Sequence, residues 1–366
     1  MSRRLGQVVA THVAMAHGGG GKAMHDLIDD VFVRAFADTD ERAPLEDQAR
    51  LDLAELTRHG DRLAFTTDSF VVSPLEFPGG DIGKLAICGT INDLAVGGAT
   101  PLYLTCSVIV EEGLAIDRLR GFARSMAETA RAAGVRVVTG DTKVVERGAC
   151  DQLFINTAGI GVIARGVELG VDRARPGDAI LVNGMLGDHG AAILQARGDM
   201  QLDAEIASDC APLHRLVAAL LAAAPGARFV RDATRGGVAT VLAELAAGSG
   251  VDVEIDELAL PIRPQVRGIC ELLGLEPIYM ANEGKLVCVV PAEQAEAALA
   301  ALRSRPEGEH AAMIGRVGRV GRVGRVGRVG RVEGDDRRPG RVVMRTAFGG
   351  QRIVDMLVGE QLPRIC

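Results

Sequence analysis

The chain has 366 residues, of which 48% are hydrophobic and 24% charged, a composition that suits a soluble globular protein with room for two cored domains. Its 41 basic and 48 acidic residues leave a net charge of −7, aromatics are 3%, and Trp is absent. There is no basic excess to meet phosphates and little aromatic surface for stacking bases, so nucleic acid is excluded as the expected partner.

The N-terminal "MSRRLGQVVATHVAMAHGGGG" sets two arginines before an apolar patch, as a secretory leader would. Gln7, Thr11 and His12 interrupt that patch and no small-residue cleavage site follows cleanly, so residues 8–16 read as a strand. In "KAMHDLIDDVFVRAF" the apolar Met24, Leu27, Ile28, Val31, Phe32 and Phe36 recur at helical spacing. "DRLAFTTDSFVVSP" reads as a strand ending in a polar turn. "IGKLAICGTINDLAVGG" reads as a helix stopped by Gly97 and Gly98. A strand "PLYLTCSVIVEE", a helix "LRGFARSMAETARAAG" closed by Gly134, and the strands "VRVVTGDTKVV" and "LFINTAGIGVIA" follow. Strands that succeed one another directly, among others that alternate with helices, predict an α+β fold rather than a strictly parallel sheet.

The polar, Gly- and Pro-punctuated "ARGVELGVDRARPGD" marks a boundary. Beyond it "DAILVNG" is a strand, "GDHGAAILQA" opens a helix, and "LHRLVAALLAAA" is a helix. "FVRDATRGGVATVLAELAAG" runs from strand through turn to helix, and "VDVEID", "PIYMANEGKLVCVV", "AEQAEAALAALRS" and "RVVMRT" complete a second α+β unit. The apolar run 216–225 is far too short to span a bilayer, so no membrane association is expected. Residues 315–332 are Gly-Arg-Val six times over, a period that gives a strand no consistently apolar face. The run reads as an expansion within a surface turn, with a basic docking strip as the sharper alternative.

Four aspartates stand where strands give way to turns: Asp68, Asp93, Asp141 and Asp232. Singly each suits an Asx-turn or a helix cap, but together such hard oxygen ligands suit Mg²⁺ carrying a phosphate chain. "HGGGGKAM" offers consecutive bare amides ahead of a helix, able to wrap phosphate oxygens; the P-loop spacing is missing, and a flexible linker fits the same glycines. "GDTK" sets Asp141 near Lys143, and "NEGKLV" sets Glu283 near Lys285, either as surface ion pairs or as a base and a charge clamp beside phosphate.

None of the seven cysteines forms a C-x-x-C pair, and most sit in apolar runs as small buried hydrophobes. The odd count points to a reducing compartment, hence the cytoplasm. Cys366 differs, because the chain ends on it. From Phe348 the last 19 residues would reach about 60 Å if extended, and they include Gly349, Gly350, Gly359 and Pro363. Such an arm could carry a group on its thiol from one site to another.

Taken together, "AHGGGGKAM", "TTDSF", "PGGDIGKLAICGTINDLAVGGATP", "GDTKVV", "LFINTAGIG", "GDHGA", "RDATRGGV", "ANEGKLV" and the terminal "PRIC" resemble the HypE family, the carbamoyl dehydratases of nickel–iron hydrogenase assembly. The resemblance covers nearly the whole chain. It implies a two-domain AIR-synthetase-like (PurM-like) α+β fold with a flexible C-terminal tail: residues 1–165 for ATP, Mg²⁺ and homodimerisation, 166–347 as the second domain, and 348–366 as the tail. It implies that Cys366 receives a carbamoyl group from HypF, that ATP drives its dehydration to a thiocyanate, and that the cyanide passes to the HypC–HypD complex. Residue by residue, Asp68, Asp93, Asp141 and Asp232 would hold metal and phosphate, and Gly18, Gly19, Gly20, Gly21 and Lys22 would lie along the phosphates. Asn92 and Thr142 would complete the nucleotide site, while Lys143 and Glu283 would share proton removal and charge stabilisation.

Two other readings are open. Selenophosphate synthetase, of the same superfamily, works with a Cys or selenocysteine in its N-terminal Gly-rich segment; here no cysteine precedes Cys88. A scaffold that only docks partners through its tail would not need the thiol. The Gly-Arg-Val run departs from the family pattern and bears on local folding more than on catalysis.

Overall fold

The computed structural model describes residues 6–36, 46–198, 206–319, 340–359 and 362–366. The chain divides into two compact units that interleave along the sequence. Unit 1 comprises Met1–Gly166, His189–Arg215 and Leu362–Cys366, and unit 2 comprises Val167–Asp188 and Leu216–Gln361.

Unit 1 is built on strands β1 (Arg62–Phe70), β4 (Ala99–Glu111), β5 (Arg136–Val145) and β6 (Leu153–Ile163), in the order β1-β6-β4-β5, with a short hairpin of β2 (Glu76–Phe77) and β3 (Gly80–Asp81). Pairing is antiparallel except between β4 and β5, which bears out the expected α+β character. Helices α4 (Ile82–Val96) and α5 (Ile116–Ala133) cover one face. "IGKLAICGTINDLAV" is apolar or small nearly all round, and all but two of its residues are buried. Asp81 caps α4 by accepting from the Lys84 amide at 2.9 Å.

Helix formation before the sheet follows the periodicity, with one departure. Lys22–Leu27 (α1) is α-helical, Ile28–Val33 widens to a π-helix, and Arg34–Phe36 (α2) closes the run. The strand expected over residues 8–16 does not form. Val13 accepts from and donates to the turn at Gly113 and Leu114, Thr11 accepts from Ile116, and only an isolated bridge joins His12 to Ala115. The partner of this segment is a turn, so no ladder propagates, and Met15–Gly18 coils into a 3₁₀ helix instead. A four-residue helix, α3 (Leu53–Leu56), brings Leu56 against Tyr103 and Val162 on the sheet face away from α4.

Unit 2 carries seven strands: β7 (Ala179–Val182), β8 (Phe229–Asp232), β9 (Asp252–Asp256), β10 (Leu286–Val290), β11 (Ala312–Gly318), β12 (Val342–Arg345) and β13 (Gln351–Val354), in the order β13-β12-β9-β11-β7-β10-β8. "AILV" and "LVCVV" are buried at every position, as central strands covered on both faces must be. Helix α6 (Asp188–Ala196) begins at the division between the units, and α7 (His214–Ala223) begins at the next one. Within unit 2, α8 (Gly237–Ser249) packs on β9 and β12, and α10 (Ala295–Arg303) packs beside β11. Helix α9 (Pro264–Leu273) and strands β11 and β13 were not anticipated from the sequence.

The first Gly-Arg-Val triplet lies inside β11. A register shift between Met313 and Gly315 lets Ile314 and Val317, three residues apart, both enter the core. Residues 320–332 lie outside the described residues, and with them both readings of the repeat.

Candidate functional site

In unit 1 the glycine run forms a turn from the 3₁₀ helix into α1. Gly20 has φ +75°, a left-handed conformation that costs a side-chain-bearing residue, and no atom lies within 4 Å of where a Cβ would sit on Gly20 or Gly21. The loop therefore presents bare backbone to open space. Lys22 follows, its side chain 87% exposed and paired with Asp26.

The sheet of unit 1 sorts the predicted residues onto two faces, because side chains alternate along a strand. Asp68 pairs in register with Thr157, whose hydroxyl bonds to the Ala86 carbonyl of α4 at 3.2 Å, so Asp68 belongs to the helix-covered face. Asp93, on α4, accepts from the Thr66 hydroxyl of β1 at 3.1 Å. Asp68 and Asp93 thus share one side of β1. Asp141 aligns with Ser107, Asn156 and Ser69 across the sheet and belongs to the opposite face, as does Lys143. The Lys143 ammonium holds the Asp141 carboxyl below the usual carboxylate range, helped by the Thr142 amide and opposed by partial burial. Thr142 itself is buried.

Asn92 is spoken for by the fold: its amide donates to the Ala211 carbonyl at 3.1 Å, and its oxygen accepts from the Leu213 amide at 2.7 Å. It clamps α4 to the segment entering α7. The four aspartates are distributed over two faces of unit 1 and over unit 2. Among the described residues, no group of three or more His, Cys, Asp or Glu could by itself hold a metal ion.

Unit 2 gathers its candidates at one end of its sheet, where β7 and β8 finish and β10 begins. Asp232 ends β8 opposite Leu286. The Lys285 carbonyl accepts from Ala233, and the Asn282 side chain donates to the Ala233 carbonyl at 2.7 Å while accepting from Gly187 at 2.8 Å. Asn183 donates to the Gly284 carbonyl at 3.0 Å and accepts from Leu286 at 2.7 Å. The two asparagines hold the Asn-Glu-Gly-Lys turn in place, with Glu283 and Lys285 both buried. Neither asparagine stands out in the sequence, although Asn183 lies in "DAILVNG" and Asn282 in "ANEGKLV". Gly237, which opens α8, has φ +58°, and a Cβ there would come within 2.5 Å of the Ile278 carbonyl. The "RGG" turn is glycine because backbone passes directly beside it.

The chain end is held in unit 1. The Val71 amide donates to the Cys366 carbonyl at 3.1 Å, and the Ser73 amide donates to the Arg364 carbonyl at 3.2 Å. Val71 lies three residues beyond Asp68, about 10 Å along an extended strand. Of the 19 residues expected to form a mobile arm, Gln351–Val354 pair with β12, and Tyr279 donates its hydroxyl to the Asp355 carbonyl at 2.9 Å. His189, Arg197 and Asp151, which contact the tail, had no individual signal in the sequence beyond the position of His189 in "GDHGA".

Comparison with known proteins places these features in a family. Residues 45–163 match the AIR synthase related protein N-terminal domain, and residues 175–328 match the C-terminal domain. The chain is 57% identical over 354 residues to "Carbamoyl dehydratase HypE" of Rhodobacter capsulatus, covering 97% of this chain and 98% of that one. A crystal structure of the hydrogenase maturation protein HypE in complex with ATP superposes with a TM-score of 0.87 at 50% identity, covering 96% of this chain and 99% of that one. A chain from a HypE–HypF complex superposes with a TM-score of 0.73 at 44% identity, covering 81% and 90% respectively.

Proposed function

Because the chain belongs to the HypE family of carbamoyl dehydratases, on the AIR-synthase-related fold, we propose that it dehydrates a carbamoyl group carried on Cys366 to a thiocyanate at the expense of ATP. The cyanide so made would serve nickel–iron hydrogenase maturation. The observation that carries this reading is the position of the chain end: the Cys366 backbone is bonded to Val71 in the same unit as the open glycine turn, Asp68 and Asp93.

The chemistry needs a better leaving group than an amide oxygen. Phosphoryl transfer from ATP to the carbamoyl oxygen converts that oxygen to phosphate. Loss of two N–H protons with departure of phosphate then closes the C≡N bond, leaving S–C≡N, ADP and phosphate. The open backbone of Gly20 and Gly21, with Gly18 and Gly19 leading into it, and the exposed ammonium of Lys22 suit the triphosphate. The hard oxygens of Asp68 and Asp93 fit Mg²⁺, which commonly takes one or two carboxylates and completes its shell with phosphate and water. When bound, the ion neutralises triphosphate charge. Asp141, on the opposite face of that sheet, and Asp232, in unit 2, are further candidates for phosphate or metal, and Thr142 would contribute through its backbone. The Lys143 ammonium, paired with Asp141, serves as the charge clamp, and the buried Glu283 as the proton acceptor.

The partners follow from the same reading. HypF loads the thiol, and the HypC–HypD complex accepts the cyanide. A second copy of the chain covers the sheet face away from α4 and α5, where Leu63 and Phe65 are 63% and 68% exposed. Seven free cysteines fit a cytoplasmic setting, and no described helix is long and apolar enough to cross a membrane.

Intact mass spectrometry after incubation with HypF, carbamoyl phosphate and ATP tests the reaction. A carbamoyl adduct on the C-terminal peptide should appear and then lose one water, and Cys366→Ser should show neither change while still binding ATP. A Cys366→Ser protein that supports hydrogenase maturation would leave the scaffold reading in its place.

A further inference from the structure

His17 closes the turn that leads into the glycine run, and its ring is bonded on one side only. The His17 amide donates to the Ala14 carbonyl at 2.8 Å, and the Ala14 amide donates back to His17 Nδ1 at 2.8 Å. These reciprocal bonds hold the ring against its own 3₁₀ turn. An accepting Nδ1 carries no proton, so in the neutral ring the proton sits on Nε2. Only 6% of His17 is exposed, and Nε2 meets no acceptor among the described residues. Nor is it one of the buried side-chain atoms sealed from solvent without a partner. The little surface that His17 exposes therefore includes an N–H donor.

The surroundings say what that donor meets. A Cβ on Gly18 would come within 2.9 Å of the Val144 Cβ and 3.1 Å of its amide nitrogen, so the turn is seated on β5 at the residue after Lys143. The lead-in is tied down as well, because Val13 bonds in both directions to the turn at Gly113 and Leu114. Downstream lie the open backbone of Gly20 and Gly21 and the exposed Lys22 ammonium. A cation would need a ring acceptor that Ala14 has already taken, and an apolar ligand would leave the N–H unmet. An anion with accepting oxygens suits the N–H, the bare backbone and the ammonium together.

We propose that His17 is a phosphate-binding residue of the nucleotide site, its Nε2–H donating to an oxygen of the triphosphate, with the Ala14 amide fixing the tautomer that makes this possible. The inference rests on the dehydratase reading for the identity of the nucleotide. The motif resemblance puts the phosphates along residues 18–22; His17 adds a side-chain donor whose direction is set before anything binds.

Two amide side chains separate this role from support of the turn. Asparagine sets an oxygen where Nδ1 stands and nothing at Nε2, whereas glutamine reaches the Nε2 position with an N–H and leaves the Ala14 amide unmet. In the full-length protein with Mg²⁺, His17→Asn should melt like wild type and lose ATP affinity about 10- to 100-fold by calorimetry. His17→Gln should melt lower and keep most of the affinity. In wild type, nitrogen–proton correlation spectra of the imidazoles should show the His17 Nε2–H signal shifting with ATP and not with adenosine, which has no phosphate. Unchanged affinity in His17→Asn, a His17→Gln protein that binds no better than His17→Asn, or a ring signal that ATP does not move overturns the proposal. Should both variants melt low, the wild-type spectrum decides. If ATP engages His17 as described and carbamoylated Cys366 never loses water, the phosphate contact stands and the dehydratase reading falls.

Discussion

Cysteine reactivity is decided residue by residue. Five of the seven thiols, Cys88, Cys106, Cys210, Cys270 and Cys288, are buried, and Cys150 and Cys366 are half-buried. Burial pushes Cys106 and Cys288 up to about 12 and Cys270 up to about 11. Cys210 is raised well above its ordinary value by the neighbouring Cys88 thiol and by burial. Cys150 is raised by burial and by the carboxylates of Glu111 and Asp151. The thiolate is the nucleophile, so one equivalent of iodoacetamide at pH 8 should label Cys366 first and Cys150 next. Peptide mapping that found Cys106 or Cys288 alkylated before Cys366 in the native protein would contradict this order. The sequence made Cys366 conspicuous by position alone, and it made the others unremarkable by their apolar neighbours; both signals are local, which is why they could be read. Asn92 is the counter-example. Its place in "TINDLA" beside Asp93 gives no sign that it clamps another segment, because which residues of a largely buried helix face which neighbours depends on what packs there. The segment that Asn92 clamps lies about 120 residues away in the chain.

At the level of elements, the helix after the glycine turn is a latch as well as a lead-in. In its π-helical stretch the consecutive carboxylates of Asp29 and Asp30 accept from the Gly6 and Val8 amides at 3.1 and 3.2 Å. Asp30 also pairs with Arg34 and with Arg120 of α5. Burial pushes the Asp30 carboxyl up, but the hydrogen bonds from Arg120 and Val8 and the charges of Arg120 and Arg34 together hold it below its ordinary 3.8. A depressed carboxyl stabilises the fold fully above its unfolded value and loses that contribution as pH falls through the folded one. Asp30→Asn should therefore cost roughly 1–3 kcal/mol at pH 7. The gap to wild type should narrow as pH drops below 4, as thermal melts from pH 7 to 3 will show. A gap that stayed constant over that range would assign the loss to packing rather than charge. Helical periodicity announced this element; the π widening and the latch were silent, because they depend on an N-terminal segment that makes no regular structure of its own.

For the whole molecule, the exposed face of the four-stranded sheet bears on assembly. Leu63 and Phe65 project from β1 on the side away from α4 and α5. If a second copy covers them, Phe65→Asp should shift the protein toward monomer in light scattering at micromolar concentration, with its melting temperature little changed at high dilution. A variant that remains dimeric removes this face from the interface. The sequence places a boundary at residue 165, whereas the compact units divide after Gly166 and then exchange segments, so that residues 189–215 and the last five residues join unit 1. A composition shift marks where a linker leaves a core but carries no information about where the chain returns.

What the sequence by itself determined is the α+β class, most strands and helices, the family, and the singular last residue. Each is written in local periodicity, turn chemistry or uninterrupted motifs, which need no partner to be legible. What only the tertiary structure decided is which faces the aspartates take, that two asparagines hold the Asn-Glu-Gly-Lys turn, and that His189 and Arg197 meet the chain end. Those facts are set by strand register and by contacts between segments more than a hundred residues apart, where a single step along a strand turns a side chain from one face of the sheet to the other.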